Sequence, residues 1–149
     1  MTAEHAHGQC ADPDAGQRQH GGTQARLPPL RVRTAPEEVA AFQVATAGTG
    51  DLGRVPFTFP ACWLSLASVR TLITDSVGAG FLPIHEAQNF SYERELEMDR
   101  EYILGVGACR TEAPPRLTLR LSIASPQGEI CARLETVLRI APIDLEPRP

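Results

Sequence analysis

Between residues 117 and 140 the chain alternates almost without a break. Leu117, Leu119, Leu121 and Ile123 are separated by Thr118, Arg120 and Ser122, and Ile130, Ala132, Leu134, Thr136, Leu138 and Ile140 form a returning face. Successive side chains on a strand point to opposite sides, so a period of two predicts two strands that each bury one face. Ser125-Pro-Gln-Gly128 lies between them, with proline second and glycine fourth, as a tight turn asks. A four-residue loop would set Ile123 against Ile130, Leu121 against Ala132 and Leu119 against Leu134, with the apolar faces in agreement. It would also set Arg120 against Arg133, and like charges directly opposite destabilise a pair of strands. Three resolutions are open: nearby Glu135 relieves them, the side chains splay into solvent, or they meet an anion or acidic partner.

Upstream the period changes. Residues 82–94 and 101–112 read as two more strands, with Tyr102, Leu104, Val106 and Ala108 alternating in the second. Before them, Cys62, Leu66, Val69 and Ile73 recur at helical spacing, while Trp63, Leu64, Ala67 and Leu72 fill most of the remaining surface. A helix over 61–74 that is apolar on most sides is a buried one, and Gly78 and Gly80 would end it. Val55-Pro-Phe-Thr-Phe-Pro60 is expected to be extended, since each proline biases its predecessor away from helix. Residues 48–53 are turn-rich. Leu30–Arg33 reads as a short strand, and Thr34-Ala-Pro-Glu37 as a capping box opening a helix that stops near Gly48. Val39, Phe42 and Thr46 would share one face of it. Residues 1–27 carry almost no large apolar side chains, so they are expected to be a disordered tail. The domain would span 28–143, with a short tail over 144–149. One buried helix followed by a meander gives an α+β chain with a curved antiparallel sheet wrapped around a central helix, the hot-dog arrangement.

Several function classes are excluded on composition. The net charge is -4 and no basic run occurs, which argues against a nucleic-acid partner. The 14 basic residues are all arginine, so a lysine-dependent phosphate loop is impossible. No Gly-x-Ser-x-Gly elbow is present. Cys10, Cys62, Cys109 and Cys131 form no Cys-x-x-Cys pair and no cluster with metal spacing, so no metal or other cofactor is expected. Cys62 and Cys109 read as small buried hydrophobes, and a disulfide framework is not expected. No apolar run approaches the roughly 18–20 residues of a membrane span. No charged-then-apolar leader opens the chain, so the expected location is cytoplasmic.

Three segments carry a family resemblance over roughly residues 30–142. Val55-Pro-Phe-Thr-Phe-Pro60 resembles the Pro-x-Thr-Phe/Tyr segment that leads into the helix of the MaoC-like acyl dehydratases. Ile84-His-Glu-Ala-Gln-Asn-Phe-Ser-Tyr92 resembles their Leu-His-Gly-x-Gln-x-Phe-x-Tyr strand. Ser125-Pro-Gln-Gly-Glu129 resembles their Asn-x-x-Gly-Glu hairpin. The match is to the N-terminal-type hot-dog domain of that family. It implies the handling of acyl thioesters, on CoA or on acyl carrier protein. In the catalytic half of such proteins a Gly-Asp-x-Asn-Pro-x-His motif supplies an acid–base pair that adds or removes water. Here Gly50-Asp51 resembles its start, but no Asn-Pro follows and Thr58 stands where the histidine would be.

The resemblance therefore implies a degenerate subunit that pairs with a catalytic hot-dog partner, or with itself. It would shape an acyl tunnel with Phe57, Thr58, Phe59, Trp63 and Leu66. Two alternatives stay open. One is a self-sufficient hydratase or thioesterase using Asp51 or His85, the latter being the only histidine outside the first 20 residues. The other is a non-enzymatic module that binds acyl or polyketide chains. His85 and Glu86 are adjacent on a predicted strand and point to opposite faces, so they cannot form one dyad. The 61–74 helix carries no acidic residue, and Asp75 comes only at its end.

Overall fold

The alternating segments close into one antiparallel sheet. The computed structural model describes residues 22–46, 48 and 53–144. Strands β1 (Thr23–Arg26) and β2 (Leu30–Arg33) precede helix α1 (Pro36–Ala45). A 3-10 helix (Phe59–Ser65) and helix α2 (Ala67–Val77) follow, then strands β3 (Phe81–Tyr92), β4 (Glu101–Glu112), β5 (Pro115–Ala124) and β6 (Ile130–Pro142). The sheet order is β1-β4-β5-β6-β3, and β2 also pairs with β4. β1 and β2 thus lie end to end along the same side of β4, interrupted where Pro28 and Pro29 offer no N–H to the ladder. β1 falls inside the stretch expected to be a tail. Its four residues are all exposed, so pairing with β4 and not burial orders it.

The core lies between the sheet and the helical layer. Leu104 of β4, Leu117, Leu119, Leu121 and Ile123 of β5 and Leu134 of β6 meet Phe59, Trp63, Val69 and Leu72. α2 packs on β4 and β3. No helix among the described residues is long and apolar enough to cross a membrane.

Four local expectations need correction. First, the single helix over 61–74 is two helices, broken at Leu66, whose backbone is extended (φ -58, ψ 140). At ~100° per residue, Trp63 and Leu72 on one straight helix would point to opposite sides. The break lets both face the core, where they are 4% and 8% exposed. The apolar-all-round pattern was the overlay of two one-sided helices. Second, Val55–Pro60 is not extended. It turns at Phe57-Thr58 and enters the 3-10 helix, with Phe59 N–H donating to Pro56 O.

Third, Thr34 does not cap α1, whose N-cap is Ala35 with no side-chain bond. Thr34 is instead fully buried and clips the β3–β4 connection. Its hydroxyl donates to Glu97 O and accepts from Arg100 N–H at 3.0 Å. On α1, Val39 is buried and Phe42 half-buried as expected, but Thr46 is exposed and Gln43 is buried.

Fourth, the β5–β6 register is shifted by two. Ile123 faces Ala132, Leu121 faces Leu134 and Leu119 faces Thr136. Cys131 is an extra residue here, between the Ala124–Ile130 and Ile123–Ala132 pairs. Its carbonyl accepts from Glu93 and Arg94 N–H, at 2.8 and 3.2 Å. A shift of two preserves the faces and removes the arginine clash. Arg120 now faces Glu135, with Nε 2.9 Å from Oε2, and Ser122 faces Arg133. Among the cysteines, Cys62 and Cys131 are free, whereas Cys109 is disulfide-bonded and not the plain buried thiol expected.

Candidate functional site

β3 is an edge strand, and its alternation changes phase in the middle. Phe81, Pro83 and His85 pair with Pro142, Ile140 and Leu138, so they lie on the helix-facing side of the sheet. Gln88, Phe90 and Tyr92 pair with Thr136, Leu134 and Ala132 on that same side. The two sets have opposite parity because Glu86 is an extra residue between the His85 and Ala87 pairs. Bulges re-aim side chains in this way. Here the bulge brings His85 and Gln88 together, with Nε2 3.0 Å from Oε1. A carboxamide oxygen only accepts, so His85 Nε2 carries the proton of this bond.

Glu86 turns away. Arg116 of β5 grips both its oxygens at 2.7 and 3.0 Å, and this pairing holds the Glu86 carboxyl below its usual pKa. His85 and Glu86 therefore diverge, as strand geometry requires.

Two buried polar atoms lie next to His85 along this face. Gln88 Nε2 and Thr136 Oγ1 are both shielded from solvent and have no hydrogen-bond partner. Gln88 and Thr136 are register partners, which puts their Cβ atoms about 5 Å apart. Sequence reasoning missed both. The available signal was Thr136 itself, the one hydroxyl in an otherwise apolar returning face.

At the far end of β3, Tyr92 leans on the segment that leads into the 3-10 helix. Its hydroxyl donates to Phe57 O, and the two rings sit 5.1 Å apart. Burial pushes the Tyr92 phenol up to about 12. Phe57 and Thr58, with Gln43, Arg54 and Glu95, line a cavity of about 480 Å³ beside α1. Arg54 and Glu95 form an ion pair there, and Gln43 Nε2 donates to Arg54 O at 3.4 Å.

The five residues expected to line a tunnel thus separate. Phe57 and Thr58 are exposed at this cavity. Phe59 and Trp63 are core residues in edge-to-face contact at 5.6 Å, and Leu66 is half-buried at the helix break. Cys62 beside them is a poor nucleophile, because burial, reinforced by Glu38, pushes its thiol up to about 11. Asp51 lies outside the described residues. Among the described residues no group of three or more His, Cys, Asp or Glu could hold a metal.

No family model matches the sequence, and no curated protein matches it. Solved structures do. A hot-dog-like protein from Thermanaerovibrio acidaminovorans superposes with a TM-score of 0.60 at 13% identity, over 84% of this chain and 85% of that one. The fold is the hot dog. A chain of the HadBC (3R-hydroxyacyl-ACP dehydratase) complex from Mycobacterium tuberculosis shares it, with a TM-score of 0.56 at 16% identity over 79% of this chain and 96% of that one. So does the (R)-hydratase of A. caviae involved in PHA biosynthesis, at 0.54 and 23% identity over 83% and 98%. Hot-dog thioesterases are similar as well. Identities this low speak for the fold alone.

Proposed function

We propose that this chain is a hot-dog subunit that binds acyl thioesters and pairs with a second hot-dog chain, which supplies the acid–base chemistry of an acyl dehydratase or enoyl hydratase. The observation that carries the reading is the state of His85. Its side-chain partner is Gln88, and the neighbouring carboxylate is held by Arg116 on the other face of the sheet. Hydration or dehydration of an acyl thioester needs two proton-transfer groups at one carbon centre. His85 provides one imidazole with no carboxylate beside it among the described residues. The HadBC complex, a dehydratase of two named components, offers a precedent for divided labour on this fold.

The pairing surface in this reading is the β3 edge. Among the described residues, one side of β3 bonds to β6 and the other has no strand. Phe81, Leu82 and Ile84 are 40, 52 and 40% exposed on it. Large apolar side chains on an open strand edge invite a second strand. A partner there would extend the sheet and bring its own residues alongside His85.

The test is sedimentation and acyl-CoA binding by the purified chain, alone and mixed with hot-dog proteins that carry a complete Gly-Asp-x-Asn-Pro-x-His motif. The reading expects a dimer at micromolar concentration and acyl-CoA binding. A monomer that binds no acyl-CoA in either setting removes it. Hydratase or thioesterase turnover by the chain alone, lost in His85→Ala or Asp51→Ala, would replace it with a self-sufficient enzyme.

A further inference from the structure

We infer that Gln88 and Thr136 form a specificity subsite for an oxygen carried on the acyl chain, with His85 as the residue that orients Gln88. The inference rests on the acyl-thioester reading above. Three observations meet at this spot. Thr136 is 1% exposed and its hydroxyl has no partner. Gln88 is its register partner, and its amide nitrogen is also buried and unpartnered. The bulge at Glu86 puts His85 on the same face, where its Nε2–H occupies the Gln88 oxygen.

A buried donor left without a partner costs about 1–3 kcal/mol. Two side by side, on the paired strands β3 and β6, are a cost that a ligand oxygen would remove. Because His85 engages Oε1, the Gln88 amide presents its N–H donors to the interior. The Thr136 hydroxyl can donate or accept. A hydroxyl or keto oxygen between them would take one bond from each.

The surroundings select the kind of ligand. Along the helix-facing side the neighbours are Phe90 and Leu134 in one direction and Leu138 with His85 at the rim in the other. A polar point set in an apolar wall suits a hydrocarbon chain with one oxygen substituent. It does not suit the polar pantetheine arm or a free anion.

The experiment compares binding of octanoyl-CoA with its 3-, 5- and 7-hydroxy derivatives, by calorimetry, to the whole chain and to Thr136→Val and Gln88→Leu. The 5- or the 7-hydroxy thioester should bind about tenfold more tightly than the plain one, which corresponds to about 1.4 kcal/mol; a preference for the 3-hydroxy derivative alone is what a dehydratase substrate would show and overturns the inference. Both substitutions should erase the 5- or 7-hydroxy preference, so that the hydroxylated thioester binds each variant no more tightly than octanoyl-CoA binds the same variant. Without ligand, Thr136→Val should melt at the same temperature or higher, since its hydroxyl has no bond to lose. Equal binding of all four thioesters overturns the inference and leaves the acyl-thioester reading standing, with water as the occupant of the subsite. So does a preference that survives both substitutions, or a lowered melting temperature in Thr136→Val. Failure of every thioester to bind removes the acyl-thioester reading, and the subsite with it.

Discussion

At the scale of single residues, two side chains that look ordinary in the sequence have opposite weights. Thr34 is fully buried and satisfies both Glu97 O and Arg100 N–H. Thr34→Val keeps the shape and takes the hydroxyl away from two part-buried backbone groups, Glu97 O and Arg100 N–H. It is expected to cost about 1–3 kcal/mol in urea unfolding. His85 is exposed and its side-chain partner is the half-buried Gln88, so His85→Ala should cost no more than about 1 kcal/mol, the net worth of one ordinary hydrogen bond. Neither weight was legible in the sequence. Thr-Ala-Pro-Glu is the same string whether threonine caps a helix or clips a distant loop. What decided between them was the 97–100 turn, more than 60 residues away in the chain. His85 stands out in the sequence as the only histidine outside the first 20 residues, but its partner Gln88 was hidden. Strict alternation puts residues three apart on opposite faces, and the Glu86 bulge sets that aside.

Among elements, the long strands and α1 were readable, whereas β1 and the central helical layer were not. β4 runs Glu101–Glu112, and the expected bounds were 101–112. One-sided burial writes a period of two directly into a strand. The helical layer gave a false single helix, because two short helices packed on one core leave an apolar trace around the whole circumference. The hairpin register failed for a related reason. The loop shifts the pairing by one, setting Ala124 against Ile130, and the extra residue Cys131 shifts it by one more; together they leave the same side chains buried, so no pattern of hydrophobicity reveals it. The end of α2 offers a test at this scale. Gly78, at φ 86, terminates the helix, and Arg110 of β4 reaches across to donate to Ser76 O and Val77 O at 2.9 and 2.6 Å. Those carbonyls carry the negative end of the helix. Arg110→Met keeps the aliphatic stem and removes the donors. It should destabilise the protein by about 1–2 kcal/mol and speed amide exchange in the last turn of α2. Unchanged exchange there would show that water serves those carbonyls equally well.

For the molecule as a whole, alkaline pH is the informative variable. Folding raises the Cys62 thiol from 9.0 to about 11 and the Tyr92 phenol from 10.0 to about 12, both chiefly by burial. A folded state that holds protons more tightly than the unfolded one loses stability as pH rises between the two pKa values. Stability should therefore fall from about pH 9 to about pH 12. Urea midpoints measured in steps across that range should show the decline, and Cys62→Ala should flatten its lower half. Also at this scale, the two margins of the sheet differ. The β1–β2 margin is broken by Pro28-Pro29, and its β2 arginines are paired, Arg31 with Glu101 and Arg33 with Asp99. The β3 margin is apolar and open. A Leu82→Lys, Ile84→Lys double variant should remain monomeric by sedimentation at concentrations where the parent chain associates. The asymmetry also fixes how far association can go. A sheet with two adhesive margins has a valence of two and can grow end on end into a fibre. A sheet with one has a valence of one, so in the pairing proposed above the first contact along β3 uses that margin and assembly through that edge halts at two chains.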